Sequence, residues 1–487
     1  MKNILLSVKQ INLKKLLLYA IFSFLFFYFF LSAIYPGPIG FGEDITAFSV
    51  KNLLAAKDLK SIYPQIEESG FFIQTYPPVY FALNGALCFM FNSENYYFFG
   101  RLISILSALF SSLLIYKIVK DQTKENCFSF ASIVVFLFSS LVLLWSIFGR
   151  VDFLALFFTS LALYIFIKNK NNVFFTAVFL ILAFFTKQTF ISLPLAFSFW
   201  LFFNDKKLFL KFIAYFLALF CAFFAAGNLA TNNGFYLNLV FNLANHAYAF
   251  LPDLNTLAKK IFFSWPYNIA APITVYLYFK QEKSGLKNFL ALYFFISLFS
   301  ALFFFGKEGA STNYFIEPIL PLSILFALVL KDQKSVKRFL WDIKNTAAEK
   351  FFLSLLLLSI ILNIGFYCEN IIYYYSTYPK YYQYLSYIKN TKGEFFDSSY
   401  AYSDLAEYGS VVVDAFNYKQ LAQKGLIDET LLINKIKNKE LKLVVLYNPF
   451  EQNSRNQIIS SQTFSAVQKN YSLKDSWALI YVYFPNK

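Results

Sequence analysis

The chain has 487 residues, of which 58% are hydrophobic and 22% aromatic, and its mean hydropathy is +0.51. Apolar residues in such excess, gathered in long blocks, exclude an ordinary soluble globular protein and indicate an α-helical polytopic membrane protein. The formal net charge of +15 does not indicate nucleic-acid binding, because the basic residues lie in short loops between apolar blocks, as expected for cytoplasmic loops.

We predict about eleven transmembrane helices, because most of the apolar blocks approach the roughly 20 residues that span a bilayer. They lie near 14–35, 98–119, 127–147, 150–168, 173–186, 189–203, 208–228, 261–280, 287–305, 314–330 and 351–371. The first is predicted to be an uncleaved anchor, since residues 32–36 form a poor signal-peptidase site. The N-terminus is then cytoplasmic and the C-terminus extracytoplasmic, in a multi-pass protein of the inner (plasma) membrane.

Two segments leave alternatives in this topology. Segment 77–92 is too short for a full span, and counting it would move the basic loop at Lys117 to the outside. We therefore predict a short interfacial or re-entrant helix there. The pair 173–186 and 189–203 could instead form a hairpin that does not cross the membrane fully. The loops that follow would then lie on the same sides as before.

The composition changes after the last predicted span. We divide the chain into a transmembrane module, 1–375, with a first outer loop at 36–76, and a small extracytoplasmic α/β domain, 376–487. The predicted strands of this domain lie at 410–414, 441–447 and 478–484, and its predicted helices lie near 417–425 and 429–438.

Three acids at the outer membrane surface are the predicted catalytic residues. Glu43 and Asp44 follow the first span within ten residues, and Asp152 opens a later span. One of the first two could act as a general base on an acceptor hydroxyl or amine. Alternatively, Glu43 and Asp44 stabilise the start of a helix near Ile45, and Asp152 forms a structural pair with Arg150.

Polar residues on the same side are predicted to line a substrate cavity, because ionisable groups at a membrane edge are costly unless they pair or serve a cavity. Arg101, Lys187 and Lys307 are the candidate cations for a lipid-linked phosphate, although Arg101 could instead snorkel to the interface. The other predicted substrate-binding residues are Tyr76, Arg150, Gln188, His246, Asn313, Tyr314 and Glu317.

A metal site is left open by the sequence. His246 is the only histidine, and the four cysteines are scattered through apolar segments without metal-ligand spacing. A divalent metal would have to be held by His246 together with carboxylates and a substrate phosphate.

Five short motifs follow one another along the chain: Glu43-Asp44, Tyr76-Pro77-Pro78, Gly100-Arg101, Val151-Asp152 and Asn313-Tyr314-Phe315-Ile316-Glu317. Their order resembles that in the integral-membrane GT-C glycosyltransferases. The similarity is to the branch containing protein O-mannosyltransferases, lipid A aminoarabinose transferases and related bacterial lipopolysaccharide glycosyltransferases. It covers residues 14–371.

The resemblance implies an inverting transfer of a sugar from a polyprenyl-phosphate donor to an extracytoplasmic cell-envelope glycan, lipid or protein. A carboxylate of the first outer loop would be the base, and the lipid phosphate would leave. The chain departs from the family in two ways. Its acids run Glu-Asp where Asp-Glu is commoner, and Thr75 stands where a metal-dependent relative has an acid, although His246 matches that relative's loop histidine.

Two other functions remain as alternatives. A polytopic transporter or flippase would also have many spans and buried polar groups, but the repeat symmetry usual in transporters is not visible. A lipid-linked glycan polymerase or ligase of the cell envelope is the second alternative. The sequence specifies neither the sugar nor the acceptor.

Overall fold

The computed structural model describes residues 13–66, 71–248, 266–281, 284–332, 367–380, 382–386, 388–390, 393–398, 410–447, 458–477 and 480–487. Within these ranges, five helices are long and apolar enough to cross a membrane. They are Tyr96–Thr123, Val151–Lys168, Lys206–Ala230, Gly285–Phe305 and Thr312–Asp332. A sixth is present if Asn126–Leu137 and Ser140–Ser146, which meet at a bend of 62°, are one broken span.

Other helices occupy most of the remaining predicted spans. They include Leu13–Ile34, Phe41–Ala56, Val79–Met90, Val173–Phe184, Ser192–Asn204, Gly234–Ala244, Tyr267–Lys280 and residues 367–380. Val79–Met90 has 12 residues, or about 18 Å of helix, which is too short to cross a bilayer. The predicted span 351–371 lies mostly outside the described residues, so the count of eleven spans stays a prediction.

The helices differ in how much of their surface other helices cover. In Thr312–Asp332, 83% of the most apolar stretch is buried, whereas in Lys206–Ala230 only 6% is buried. Thr312–Asp332 therefore lies at the centre of the bundle. Lys206–Ala230 instead turns its apolar side chains outward, where lipid can cover them. Val151–Lys168 is also central, and it packs between Tyr96–Thr123 and Val173–Phe184.

The loop 36–76 contains a helix that begins at Phe41, four residues before the predicted start. Gly40 has an extended backbone at the N-cap position, which lets the helix begin there. Glu43 and Asp44 consequently lie in its first turn, where the helix dipole favours acids. The helix ends at Ala56, and a 3-10 turn, Leu59–Ser61, follows.

The C-terminal part of the chain forms a four-stranded sheet with helices packed on it. Its strands are β1 (Phe395–Asp397), β2 (Leu443–Tyr447), β3 (Tyr471–Trp477) and β4 (Ile480–Pro485), in the order β1-β2-β4-β3. β1 and β2 are parallel, and the other pairs are antiparallel. The helices are Ala415–Gln423, Thr430–Lys437 and Ser461–Asn470.

The segment 410–414 does not form the regular strand predicted from the sequence. Ser410 makes an isolated parallel bridge with Phe395 of β1, and the Val411 N–H donates to the Phe395 carbonyl at 3.0 Å. The backbone N–H groups of Val413 and Asp414 donate to the carbonyl of Phe71 at 3.1 and 3.0 Å, outside the sheet. Asp414 then caps the helix Ala415–Gln423 by accepting from the backbone of Asn417 at 3.0 Å. The run of valines therefore connects the loop 36–76 to a helix.

The loop 36–76 and the C-terminal domain share one hydrophobic cluster. Phe71 and Ile73 pack with Phe396, Leu421 and Tyr418, and the rings of Phe71 and Tyr418 meet edge to face at 5.2 Å. The C-terminal domain is therefore docked on the loop that carries the acidic pair.

Candidate active site

Glu43 and Arg101 form an ion pair from which solvent is excluded. Their side chains are 1% and 0% exposed. Arg101 donates from Nε to Oε1 at 2.8 Å and from Nη2 to Oε2 at 2.7 Å. The backbone N–H groups of Ile39 and Gly149 donate to the same two oxygens at 2.6 and 2.7 Å. With two donors on each oxygen, the lone pairs of this carboxylate are filled.

Arg101 also holds the chain that leads into the loop. Its Nη1 atom donates to the carbonyls of Ser32 and Tyr35, and its Nη2 atom donates to that of Gly37 at 2.5 Å. The interpretation of Arg101 as a snorkelling side chain is therefore wrong, because the guanidinium is buried among backbone carbonyls. We call Glu43 and Arg101 the closed cluster.

Asp44 is equally buried but has a different partner. The phenol of Tyr97 donates to its Oδ1 atom. Tyr97 lies four residues before Arg101, so both side chains project from one face of the same helix. Adjacent acids of the loop are thus held by adjacent side chains of one helix.

Three glycines permit the close approach of the elements around these acids. A Cβ atom on Gly149 would lie 3.0 Å from Glu43 Oε1, and one on Gly100 would lie 3.3 Å from the Cα atom of Gly149. A Cβ atom on Gly42 would overlap Nη1 of Arg150. The glycine before each of the two arginines is therefore required by packing.

A second group of charges, the open cluster, is formed by Tyr76, Arg150, Asp152, Lys187 and Asn313. Asp152 Oδ1 accepts from Lys187 Nζ at 2.5 Å and from Asn313 Nδ2 at 2.8 Å. Arg150 donates to Asp152 Oδ2 at 3.3 Å and to the Tyr76 hydroxyl at 2.7 Å. The Arg150 side chain is 14% exposed, so this cluster reaches solvent where the closed cluster does not.

The late polar residues pack against the open cluster. The ammonium group of Lys187 lies 4.6 Å from the ring centroid of Tyr314. The Glu317 carboxylate is buried and accepts from the hydroxyls of Ser192 and Tyr293, each at 3.0 Å. The cavity that these residues border has a volume of only about 10 Å³, too small for a ligand. A substrate-binding role for Tyr314 and Glu317 stays a prediction.

A larger cavity of about 350 Å³, the main cavity, lies beside the open cluster. Tyr76, Gln188, His246 and Lys307, all predicted to bind substrate, are part of its wall. The rest of the wall is largely apolar and includes Leu243, Ala244, Tyr248, Phe303 and Phe304. Glu43, Asp44 and Asp152 are not among its lining residues.

Gln188 has an unused hydrogen-bond acceptor at this cavity. Its Nε2 atom donates to the carbonyl of Thr75 at 2.8 Å, whereas its buried Oε1 atom has no partner among the described residues. An unpaired buried carbonyl costs free energy, so this oxygen is available to accept a hydrogen bond from a donor in the cavity.

Two basic side chains of the wall have shifted pKa values. Burial lowers the pKa of Lys307 to about 8, so it is still mostly protonated at pH 7. Burial, together with the positive charge of Lys307, lowers the pKa of His246 to about 4, so this imidazole is neutral at pH 7. The wall thus combines one cation with a neutral imidazole.

The surroundings of His246 do not fit a metal ion. No group of three His, Cys, Asp or Glu side chains gathers as a metal site within the described parts of the chain. The Nε2 atom of His246 lies 2.7 Å from Oδ1 of Asn417, and Lys307 is the nearby charge. The ammonium of Lys307 would repel a divalent cation, and the Asn417 amide offers it only one neutral oxygen.

Two residues at the site were missed by the sequence analysis. Tyr97 could have been found, because it lies one helical turn before Arg101. Asn417 is 171 positions from its partner His246, and no local pattern connects them. Its contact depends on how the C-terminal domain docks.

Comparisons with known proteins agree with this architecture. The family model of dolichyl-phosphate-mannose-protein mannosyltransferases matches residues 76–230, which include Arg101, Arg150, Asp152 and Lys187. No curated protein sequence matches the chain significantly.

Three solved structures resemble the chain over nearly its whole length. ArnT from Cupriavidus metallidurans bound to undecaprenyl phosphate has a TM-score of 0.66 at 11% identity, covering 96% of this chain and 97% of that one. The Archaeoglobus fulgidus oligosaccharyltransferase tethered with an acceptor peptide has a TM-score of 0.58 at 12% identity, covering 96% and 74%. AglB from the same organism, in complex with an inhibitory peptide and a dolichol-phosphate, has a TM-score of 0.52 at 11% identity, covering 96% and 74%.

At these identities the structural likeness establishes the fold, which is the fold of ArnT and AglB. The chain is accordingly a multi-pass membrane protein of GT-C architecture. The family model matches residues 76–230, and the fold of nearly the whole chain is similar to that of membrane glycosyltransferases of the GT-C superfamily.

Proposed function

We propose that this protein transfers a sugar from a polyprenyl-phosphate donor to an acceptor in the cell envelope, with inversion at the anomeric carbon. The composition of the main cavity is the observation that carries the proposal. It combines a cation, an unpaired hydrogen-bond acceptor and an apolar wall, and a lipid-linked phosphosugar offers a complement to each of the three.

Each part of the donor has a counterpart in the cavity. The Lys307 ammonium can pair with the phosphate, and Phe303, Phe304 and Leu243 can cover the first isoprene units of the lipid. The Oε1 atom of Gln188 can accept from a sugar hydroxyl. The ArnT and AglB structures contain undecaprenyl phosphate and dolichol-phosphate, which supports a donor of this class.

Asp44 is the better candidate for the base. Glu43 already receives four hydrogen bonds, two of them from a guanidinium, so taking up a proton would break one of them. The hydrogen bond that Asp44 accepts from Tyr97 comes from a phenol and not from a guanidinium. In the proposed step, which requires the acceptor to reach the buried Asp44, this carboxylate takes the acceptor's O–H proton, the acceptor oxygen bonds to the anomeric carbon, and the carbon–oxygen bond to phosphate breaks.

The phosphate leaves as a lipid monoester anion, and its charge is the one that grows in the transition state. Lys307 in the main cavity can stabilise that charge, and Arg150 at the edge of the open cluster can assist. The basic loops support a site on the extracytoplasmic side of the inner membrane, with the N-terminus inside and the C-terminal domain outside.

Donor binding and transfer by the purified protein test this proposal. In lipid nanodiscs, the protein should bind a polyprenyl-phosphate hexose or pentose and transfer the labelled sugar to cell-envelope extract. Lys307→Gln should weaken donor binding about tenfold or more, because a buried charged hydrogen bond is lost. The matched control is Lys206→Gln, an exposed lysine at the start of another helix.

Paired variants of the acids test the base. Asp44→Asn should abolish transfer while donor binding stays near that of the wild type. Glu43→Gln should lower stability, because it weakens the closed cluster. Transfer by Asp44→Asn at the wild-type rate would reject Asp44 as base. Movement of intact donor across the bilayer without sugar transfer would favour the flippase alternative.

A further inference from the structure

The C-terminal domain contacts the wall of the main cavity through one helix, Ala415–Gln423, which we call the docking helix. Lys419 forms an ion pair with Glu308 at 2.9 Å, next to the cavity residue Lys307. The backbone N–H of Ala247 donates to Gln420 Oε1 at 3.2 Å. The docking helix therefore lies directly behind the segment that presents His246 to the cavity.

The side chain of Asn417 is oriented by Asp414. The Asp414 carboxylate accepts from the backbone N–H of Asn417 at 3.0 Å, from its side-chain Nδ2 atom, and from the backbone N–H of Ile73. Burial raises the pKa of Asp414 to about 6, so it is still mostly ionised at pH 7. An ionised carboxylate only accepts, so the amide nitrogen of Asn417 must face Asp414 and its oxygen must face the other way.

That oxygen faces the imidazole of His246. Asn417 Oδ1 lies 2.7 Å from His246 Nε2, and Asn242 Nδ2 donates to the same oxygen at 3.2 Å. Asn242 Nδ2 also lies 3.3 Å from Nε2 itself, but the contact with Asn417 is the shorter one and decides the position of the proton. A carbonyl oxygen cannot donate, so the proton of this hydrogen bond must belong to Nε2. In a neutral imidazole, the other nitrogen, Nδ1, then carries a lone pair.

We propose that the C-terminal domain, through Asp414 and Asn417, fixes His246 in the Nε2–H tautomer so that its Nδ1 atom accepts a hydrogen bond from a sugar hydroxyl in the main cavity. Asp414 and Asn417 are then positioning residues, and His246 is a binding residue. Among the described residues, Nδ1 makes no hydrogen bond, and His246 lines the cavity. The identity of the ligand rests on the proposed function, whereas the tautomer does not.

Nearby unpaired atoms also indicate that Asp414 orients the amide of Asn417. The Oδ1 atom of Asn242 and the Nε2 atom of Gln420 are buried without partners in this part of the chain. The amide group of Asn242 can therefore rotate if the amide of Asn417 reverses, since its oxygen has no bond to lose. The orientation of Asn417 consequently depends on Asp414.

The tautomer can be measured directly, because the chain has one histidine. Protein labelled with ¹³C,¹⁵N-histidine and reconstituted in bilayers should give, by solid-state NMR at pH 7, a protonated nitrogen correlated with Cδ2, which identifies Nε2–H. A protonated Nδ1, or an equal mixture of tautomers, would overturn the proposal. This measurement needs neither donor nor activity.

Two variants test the cause. In Asp414→Asn, an amide replaces the acceptor-only carboxylate, so Asn417 should reverse and His246 should change to the Nδ1–H tautomer. In Asn417→Leu the preference should disappear, and both tautomers should be seen. Asp428→Asn and Asn438→Ala, at exposed positions of the same domain, are the matched controls and should keep the wild-type spectrum. An unchanged tautomer in both test variants contradicts the inference.

The predicted hydrogen bond between His246 and the sugar is tested separately, by steady-state kinetics. Asp414→Asn should raise the KM for donor about tenfold and change kcat less than threefold, as loss of one hydrogen bond made equally in ground and transition states predicts. If the tautomer changes and the KM does not, the sugar contact is rejected and the tautomer control stands. If the wild type transfers no sugar at all, the proposed function fails, and the NMR result still decides the tautomer.

Discussion

The two arginines that follow a glycine, Arg101 and Arg150, occupy opposite kinds of site. Arg101 is fully buried, and its donors are divided between Glu43 and three backbone carbonyls. Arg150 is partly exposed, and it donates to Asp152 and to Tyr76, a residue of the main cavity wall. The same Gly-Arg dipeptide thus holds the fold together at Arg101 and borders the main cavity at Arg150.

The difference follows from what each carboxylate receives. Glu43 has backbone and guanidinium donors that cannot leave without breaking the loop, so its charge is committed to the fold. Asp152 receives side-chain donors, Lys187, Asn313 and Arg150, which can change rotamer without moving the backbone. The role of a buried ion pair therefore depends on the other hydrogen-bond donors around its carboxylate, and not on the residue types of the pair.

The largest effect is expected from breaking the closed cluster. Arg101→Met leaves Glu43 buried without its cation and should lower the free energy of unfolding by about 3–5 kcal/mol. Thermal unfolding in detergent measures this loss. Removing both charges, in Glu43→Gln/Arg101→Met, should recover part of the stability. A melting temperature unchanged in the single variant would show that the pair does not hold the loop.

The open cluster should respond in activity more than in stability. Asp152→Asn retains the shape of the side chain but removes the counter-charge of Lys187 and Arg150, so we expect about 1–3 kcal/mol of destabilisation. Sugar transfer should fall far more than this, because the two cations lose their positions. Kinetics and unfolding measured on one preparation separate the effects, and a loss of stability as large as that of Arg101→Met would remove the distinction between the clusters.

The glycine before the acidic pair offers a steric test of comparable size. In Gly42→Ala the new methyl group overlaps Arg150 Nη1, so the guanidinium must move away from Asp152, at a cost of about 1–3 kcal/mol. Gly85→Ala is the control, since its nearest neighbour would be Leu54 Cδ2 at 3.6 Å, an ordinary contact. We expect the control to be neutral or slightly stabilising, because alanine favours the helix. Equal behaviour of the two variants would contradict this packing.

The smallest expected effect is a pH dependence at the main cavity. Lys307 has a pKa of about 8, so its charge is present below that pH and is lost above it. Donor affinity should therefore fall by up to about tenfold between pH 7 and pH 9. Lys307→Arg keeps the charge throughout this range and should remove the dependence. A pH profile that is the same in both proteins would place the titrating group elsewhere.

The sequence predicted the participants at the site better than their pairing. The spacing of apolar blocks placed Glu43, Arg101, Asp152 and Lys187 at helix ends on one side, where the structure finds them. It could not separate the two clusters, because the pairing depends on a close approach between Gly100 and Gly149 that no local pattern encodes.

The errors have a common physical origin in long-range contacts. The predicted strand at 410–414 had the right residue types, yet only its start pairs with β1, because the amides of Val413 and Asp414 bond to Phe71, far along the chain. The role of Asn417 was invisible for the same reason, since its partner His246 belongs to another part of the chain. Local periodicity finds elements, whereas the docking of one domain on another decides which polar groups meet.

The docking of the C-terminal domain has a consequence for how the protein is made. Residues 413–418 complete the wall behind His246 and bond to Phe71, so neither contact exists until the last quarter of the chain has left the ribosome. If the predicted spans insert during synthesis, a nascent chain that ends before residue 413 would still lack the proposed orientation of His246. On the proposed function, such a partly synthesised protein would not hold a donor lipid in its final geometry.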